Sequence, residues 1–153
     1  MEDISTFLCF RLGALSRRIY RHYNTLYSRY GITVTQSFIL FDLLLHKSSN
    51  MKDIASRVQL DSPAITGLVD RLAKENLVER KEDPSDRRGL LVGLTTKGRK
   101  LAKELAPVAE EFNTKMHAVL IPEDIAVFER SLDRLEKGLK EKNPERQTEV
   151  LHG

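Results

Sequence analysis

Asn50–Thr95 reads NMKDIASRVQLDSPAITGLVDRLAKENLVERKEDPSDRRGLLVGLT, and this stretch decides the fold. It predicts a helix, a tight turn, a second helix and a hairpin with a basic tip. The first helix is Met51–Val58, with Asn50 as its N-cap and Asp53 close to the N-terminal dipole. Gln59–Asp61 interrupts the pattern. Ser62–Pro63 restarts it, with a capping hydroxyl before a proline whose missing N–H costs nothing there. In the second helix Ile65, Leu68, Val69 and Leu72 fall at i, i+3, i+4 and i+7, which makes one buried face. The opposite face carries Ala64, Thr66, Gly67, Asp70, Arg71 and Lys74. Small and hydrogen-bonding residues at its start, with cations further along, suit a helix laid into a major groove by its N-terminal half.

Leu77–Lys81 and Leu90–Leu94 read as two short strands. The eight residues 82–89 between them are rich in turn formers and place Arg87 and Arg88 near the tip. A narrow minor groove has enhanced negative potential and attracts inserted arginine. A helix-turn-helix followed by such a tip reads as a winged helix that contacts both grooves.

Asp83-Pro84-Ser85-Asp86-Arg87-Arg88, followed by Leu94-Thr95-Thr96-Lys97-Gly98, resembles the wing signature of the multiple antibiotic resistance regulator (MarR) family. Leu60-Asp61-Ser62-Pro63-Ala64-Ile65-Thr66 resembles that family's entry into its recognition helix. The resemblance covers nearly the whole chain. It implies a homodimeric winged-helix repressor that binds a pseudo-palindromic double-stranded DNA operator and is released by a small molecule or an oxidant. For DNA, resemblance and charge point to Ser62, Ala64, Thr66, Gly67 and Arg71 on the recognition helix, with Arg87 and Arg88 at the wing. In the family one wing arginine enters the minor groove and an Asp-x-Arg pair braces the loop; Asp86 and Arg88 occupy that pair here. The plainer role for Arg71 is a helical ion pair with Glu75, four residues on.

The flanking segments predict long helices. Over residues 4–30, Leu8, Leu12, Leu15, Ile19, Tyr23, Leu26 and Tyr30 alternate steps of three and four, as in one continuous helix ended by Gly31. About 25 helical residues span roughly 40 Å, more than a small winged-helix core needs. Thr33 or Thr35 caps a helix to about His46 with apolar residues on most of its circumference, and Lys47–Asn50 reads as a polar connector. After the wing, Thr96 caps a helix to about Leu120 that contains Pro107, which should kink it or leave a carbonyl unpaired. Pro122 opens a last helix striped by Ile125, Phe128, Leu132, Leu135 and Leu139. The expected fold class is mainly α (α+β), in a single domain over 1–153. A winged helix-turn-helix DNA-binding lobe covers 33–96, helices in 1–30 and 97–142 form a dimerisation lobe, and 143–153 is a polar tail. Three apolar stripes without partners in one chain are satisfied by a second copy.

Net charge is +3, unevenly spread. Residues 11–30 hold five arginines and no acid, residues 51–100 hold eleven Lys/Arg against eight Asp/Glu, and residues 101–153 reverse to eight against eleven. An architectural DNA protein, whose nonspecific affinity comes from counterion release, calls for a larger excess. An enzyme lacks support, with no Ser/His/Asp order, paired carboxylates or phosphate loop. The single cysteine and four scattered histidines provide no metal-ligand spacing, so neither metal nor cofactor is expected. With no run of 18 apolar residues and no signal pattern, the expected location is the cytoplasm, with no membrane partner.

Two routes of regulation follow from the resemblance. Leu8-Cys9-Phe10, with Tyr23 fourteen residues on, is similar to the organic-hydroperoxide-sensing branch of the family, where two tyrosines hold a reactive cysteine, one of them from the partner subunit. Tyr23 matches one tyrosine, but Gly13 occupies the other position, so half of the hydrogen-bonding pair is absent. The alternative for Cys9 is a small apolar residue in a dimer core. The second route is a cleft where family members bind aromatic acids such as salicylate. Arg18 matches a helix-one position that holds the carboxylate in some members, and Tyr23, Phe38 and Phe41 offer ring contacts unless core packing uses them.

Overall fold

The computed structural model describes residues 3–84 and 86–141, with side chains for all of these except 86–88, 140 and 141. The chain divides into two compact units, Met1–Ala109 and Glu110–Gly153. In order, the helices are α1 (Leu8–Tyr27), α2 (Val34–His46), α3 (Met51–Val58), α4 (Ser62–Lys74), α5 (Thr96–Ala118) and α6 (Pro122–Glu141). The strands β1 (Ser48–Asn50), β2 (Val78–Asp83) and β3 (Asp86–Leu94) form one antiparallel sheet in the order β1-β3-β2. The fold is mainly helical with a small sheet, as the sequence predicts, and no described helix is long and apolar enough to cross a membrane.

The first helix is not continuous over 4–30. Ile4–Thr6 is a separate 3-10 turn, capped by Asp3, whose carboxylate accepts from the Ser5 N–H at 2.9 Å. Phe7 is extended (φ −67°, ψ 131°) and breaks the helix before Leu8. At the other end the chain tightens into a 3-10 turn over Ser28–Tyr30, and Gly31 stops it at φ 71°, a left-handed conformation that glycine adopts without penalty. Thr33, not Thr35, caps α2: its hydroxyl accepts from the Gln36 N–H, and the Gln36 side chain accepts from the Thr33 N–H. The Asn24 side chain accepts from the Val34 N–H at 2.8 Å and so ties α1 to α2.

The core of the larger unit forms where α2 meets α3, α4 and the sheet. Ile39, Leu40, Leu43, Ile54, Ile65, Val69, Leu72 and Val92 are all fully buried in it. The helix α2 is enclosed on most sides as expected, but Leu45 near its end is 78% exposed. Tyr27 is completely buried and its hydroxyl has no hydrogen-bond partner among the described residues. Burial pushes its pKa up to about 12, reinforced by Tyr23; the nearby Ser37 hydroxyl opposes this in part, but donates its own proton to the Val34 carbonyl at 2.7 Å. An unpaired buried hydroxyl only costs desolvation. Tyr27→Phe is therefore expected to leave the thermal midpoint unchanged or higher. It is also expected to remove a loss of stability between pH 10 and about 12, where the unfolded chain ionises this phenol and the folded chain does not. Urea titrations at pH 8 and pH 11 check both.

Lys47–Asn50 is not simply a connector. Ser48–Asn50 forms β1 on the outer edge of β3, with Ser49 opposite Val92. Thr95, not Thr96, caps α5: its hydroxyl accepts from the Gly98 N–H at 3.0 Å and donates to the Asn76 carbonyl at 2.8 Å. The helix α5 runs through Pro107, where the Lys103 carbonyl gives up its usual donor. In α6 Pro122 opens the first turn beside Glu123 and Asp124, and none of its described residues is buried.

Candidate nucleic-acid interface

The helices α3 and α4 are joined by a turn that needs one left-handed residue. Gln59 supplies it at φ 56°, ψ 44°, and the Leu60 N–H closes on the Ala55 carbonyl at 3.0 Å. Asn50 caps α3 as predicted, accepting from the Asp53 N–H at 2.9 Å. The cap of α4 differs from the expectation: Asp61 accepts from the Ala64 N–H at 2.8 Å, so Ser62 is the first helical residue. Both residue types cap well. Asp61 takes the role because its backbone is the extended one, at φ −74°, ψ 159°.

The helix α4 divides as its periodicity requires. Ile65, Val69 and Leu72 are fully buried and Leu68 is half-buried. Ser62, Ala64, Thr66 and Arg71 are exposed, and Gly67 is half-buried with no heavy atom within 4 Å of a Cβ built on it. The five predicted recognition residues therefore share one helix and face away from the core. The Thr66 hydroxyl donates back to the Ser62 carbonyl at 3.0 Å, which leaves its oxygen as an acceptor. The ion pair of Arg71 with Glu75 does not form; Arg71 has no ion-pair partner among the described residues. A helix end with Asn76 at φ 58°, its N–H on the Ala73 carbonyl, turns the chain from α4 into β2.

The wing strands are longer than the sequence predicts. The strand β2 continues to Asp83 and β3 begins at Asp86, with a register shift between Glu82 and Asp83. Asp86, Arg87 and Arg88 lie on the backbone at the start of β3, and their side chains lie outside the described residues.

Two charged pairs that no sequence period marks join elements of this lobe. The Arg57 guanidinium on α3 donates to both carboxylate oxygens of Asp42 on α2, at 2.6 and 2.8 Å, and to the Ser49 hydroxyl on β1 at 2.7 Å. Asp42 and Ser49 are both buried, and the Asp42 hydrogen bonds push the Arg57 pKa above its ordinary value. The His46 Nδ1 also lies 3.3 Å from Asp42 Oδ1. On the outer side, Arg80 of β2 pairs with Asp70 of α4 at 2.6 Å.

The residues assigned to regulation do not come together in either of two cavities of the larger unit. Arg18 lines a cavity of about 200 Å³ with Ser5, Phe10, Arg11, Ala14 and Leu15. A larger one of about 320 Å³ lies among Tyr30, Ile32, Leu77, Lys97 and Leu101. Neither is lined by Tyr23, Phe38 or Phe41, which pack against the core; Phe38 also meets Tyr20 edge-on at 6.1 Å. Cys9 is exposed in the first turn of α1. The fourteen residues from Cys9 to Tyr23 rise about 21 Å along the helix, so the two do not meet within one protomer.

The model of the MarR family matches residues 32–90, from the start of α2 through the wing tip. The HTH-type transcriptional regulator SarZ of Staphylococcus epidermidis is 31% identical over 130 residues, covering 82% of this chain and 88% of that protein. The S. aureus MepR–DNA complex shares the fold with a TM-score of 0.82 at 22% identity, over 86% of this chain and 98% of that one. A mutant of MarR from E. coli complexed with operator DNA gives 0.76 at 25% identity, over 88% and 99%. SarZ is a transcriptional regulator by name, and MepR and the MarR mutant are solved bound to DNA. The chain belongs to the MarR family of winged-helix transcriptional regulators.

Proposed function

We propose that this chain is a sequence-specific double-stranded DNA-binding repressor, acting as a homodimer and released by a small-molecule effector. The observation that carries the reading is the division of α4: its apolar face packs into the core through Ile65, Val69 and Leu72, while Ser62, Ala64, Thr66, Gly67 and Arg71 are presented together on the other side. Arg71, exposed and without an ion-pair partner among the described residues, is the cation suited to a guanine edge or a phosphate, and a bidentate contact to guanine is worth about 1–3 kcal/mol of discrimination. Arg87 and Arg88 at the wing are the cations for the minor groove. MepR and MarR bound to DNA are solved with the same fold, which supports the same use here.

The dimer reading rests on exposed apolar surface. Ile4, Phe7, Leu8, Phe10 and Leu15 in the larger unit, and Val119, Ile121, Val127, Phe128 and Leu139 in the smaller, are each more than a third exposed. Such surface exceeds what isolated exposed side chains account for. In this division of labour residues 33–96 bind DNA and the helices in 1–30 and 97–142 hold the dimer.

For the signal, a carboxylate ligand near Arg18 fits better than peroxide at Cys9. Arg18 lines a cavity beside a second cation, Arg11, whereas Cys9 has no hydroxyl at position 13 and does not meet Tyr23 of its own protomer. Binding sites selected from random duplexes provide the assay. An aromatic acid such as salicylate is expected to release the selected site, with the effective concentration raised roughly tenfold in Arg18→Ala if one charge-assisted hydrogen bond is lost. Release by stoichiometric cumene hydroperoxide, abolished in Cys9→Ser, would reverse the choice. A wild-type protein that shows no preference against excess random duplex would remove the DNA reading altogether.

A further inference from the structure

Asp70 lies on α4 one residue before Arg71 and one turn after Thr66, beside the face assigned to DNA. A carboxylate there repels a phosphate backbone, so its presence needs a reason. Its Oδ1 accepts from an Arg80 Nη at 2.6 Å. Arg80 stands on β2, opposite Val92 of β3, on the strand that leads to the wing tip. The bridge therefore joins the recognition helix directly to the wing. Both side chains are roughly half exposed, at 47% and 35%, and an ion pair that open adds little to folding stability. What the pair supplies is geometry: it restrains the rotation of α4 about its axis relative to the strand that aims the wing, and it cancels the carboxylate.

We propose that Arg80 is a positioning residue for DNA recognition, which acts through Asp70 to hold the recognition helix and the wing in one register. This rests on the reading of α4 and the wing as the DNA-binding elements. A simpler use of Arg80, as a direct phosphate ligand, makes the opposite forecast for Asp70. Removing the Asp70 charge would then free Arg80 and tighten binding.

The experiment measures binding of the full-length protein to a selected operator and to random duplex, across a salt series, for wild type, Asp70→Asn, Arg80→Ala, Arg80→Lys and the double variant Asp70→Asn/Arg80→Ala. Asp70→Asn is expected to lower the operator-over-random ratio by roughly tenfold, although it removes a negative charge, while random-duplex binding holds or strengthens. The double variant is expected to fall within about twofold of Asp70→Asn, the sign of two residues acting as one. Arg80→Lys is expected to recover part of the ratio, since a single N–O contact is made. Thermal midpoints within a few degrees of wild type separate this loss from misfolding. Tighter operator binding in Asp70→Asn would overturn the proposal, as would a salt slope lowered by about one in Arg80→Ala with the Asp70→Asn ratio unchanged. If wild type selects no sequence, the DNA-binding reading itself fails and the brace with it.

Discussion

Gly98→Ala is expected to be the most damaging single methyl addition in the larger unit. A Cβ at this position would lie 1.8 Å from the Leu77 carbonyl oxygen and 2.8 Å from its carbon, both backbone atoms. That carbonyl has little freedom to retreat. It accepts from the Thr95 N–H at 3.1 Å and shares the Thr95 hydroxyl proton with the Asn76 carbonyl, and the Leu77 side chain is anchored in the core at 3% exposure. Relief requires α5 to lift away from the α4–β2 turn, which breaks the Thr95 cap. Overpacking costs about 1–3 kcal/mol where side chains can yield, and here the backbone must move, so about 3 kcal/mol or more is expected. For a chain of this size that is a fall of about 10 °C in the thermal midpoint, measured by circular dichroism. An unchanged midpoint would mean that the close approach of α5 to Leu77 is wrong.

Asp42→Ala is expected to cost nearly as much through a different cause. The substitution strands the Arg57 guanidinium, two of whose three contacts go to Asp42, between α2, α3 and β1. Removing one partner of a buried pair costs about 3–5 kcal/mol because the other charge stays desolvated. Arg57 is exposed over a third of its side chain and rehydrates in part, so the loss of its hydrogen bonds to a charged partner, about 2–3 kcal/mol, is the better expectation. Replacing both residues by apolar ones, Asp42→Leu with Arg57→Met, should restore much of the loss, because no charge is then left unpaired. Denaturant titrations of the two variants check this. Equal destabilisation in both would show that the elements need the specific hydrogen bonds to Asp42 and Ser49 rather than charge balance.

Periodic features were legible in the sequence. The bounds of α3, the buried face of α4, the C-terminal position of Gly31 and the opening of α6 at Pro122 all follow from spacing and capping chemistry. Features that depend on a distant partner were not. Ser48-Ser49-Asn50 has no strand propensity and becomes β1 only because β3 offers an edge more than forty residues later. Asp42 and Arg57 are fifteen residues apart, and Asp70 and Arg80 ten, at no helical or strand period. Neighbouring caps are inseparable in sequence for a related reason: Asp61 and Ser62, or Thr95 and Thr96, are both good capping residues, and the backbone conformation decides between them. The exposed face of α4 was legible because a buried face fixes its opposite. The effector residues came from resemblance alone, and Tyr23, Phe38 and Phe41 line neither cavity that Arg18 or α5 provides.

The most direct measurement is a hydroxyl-radical and base-methylation footprint of the wild-type protein on a duplex selected from random sequence. Two copies of α4 and its wing, related by a two-fold axis, should protect two symmetric major-groove half-sites. Their centres should lie about one helical turn apart, or a whole multiple of it, with minor-groove protection flanking each. Arg71→Ala should weaken the major-groove protection in both halves together. Protection of a single half-site, or uniform protection that shifts freely between unrelated duplexes, would contradict the reading of this chain as a dimeric, sequence-specific winged helix.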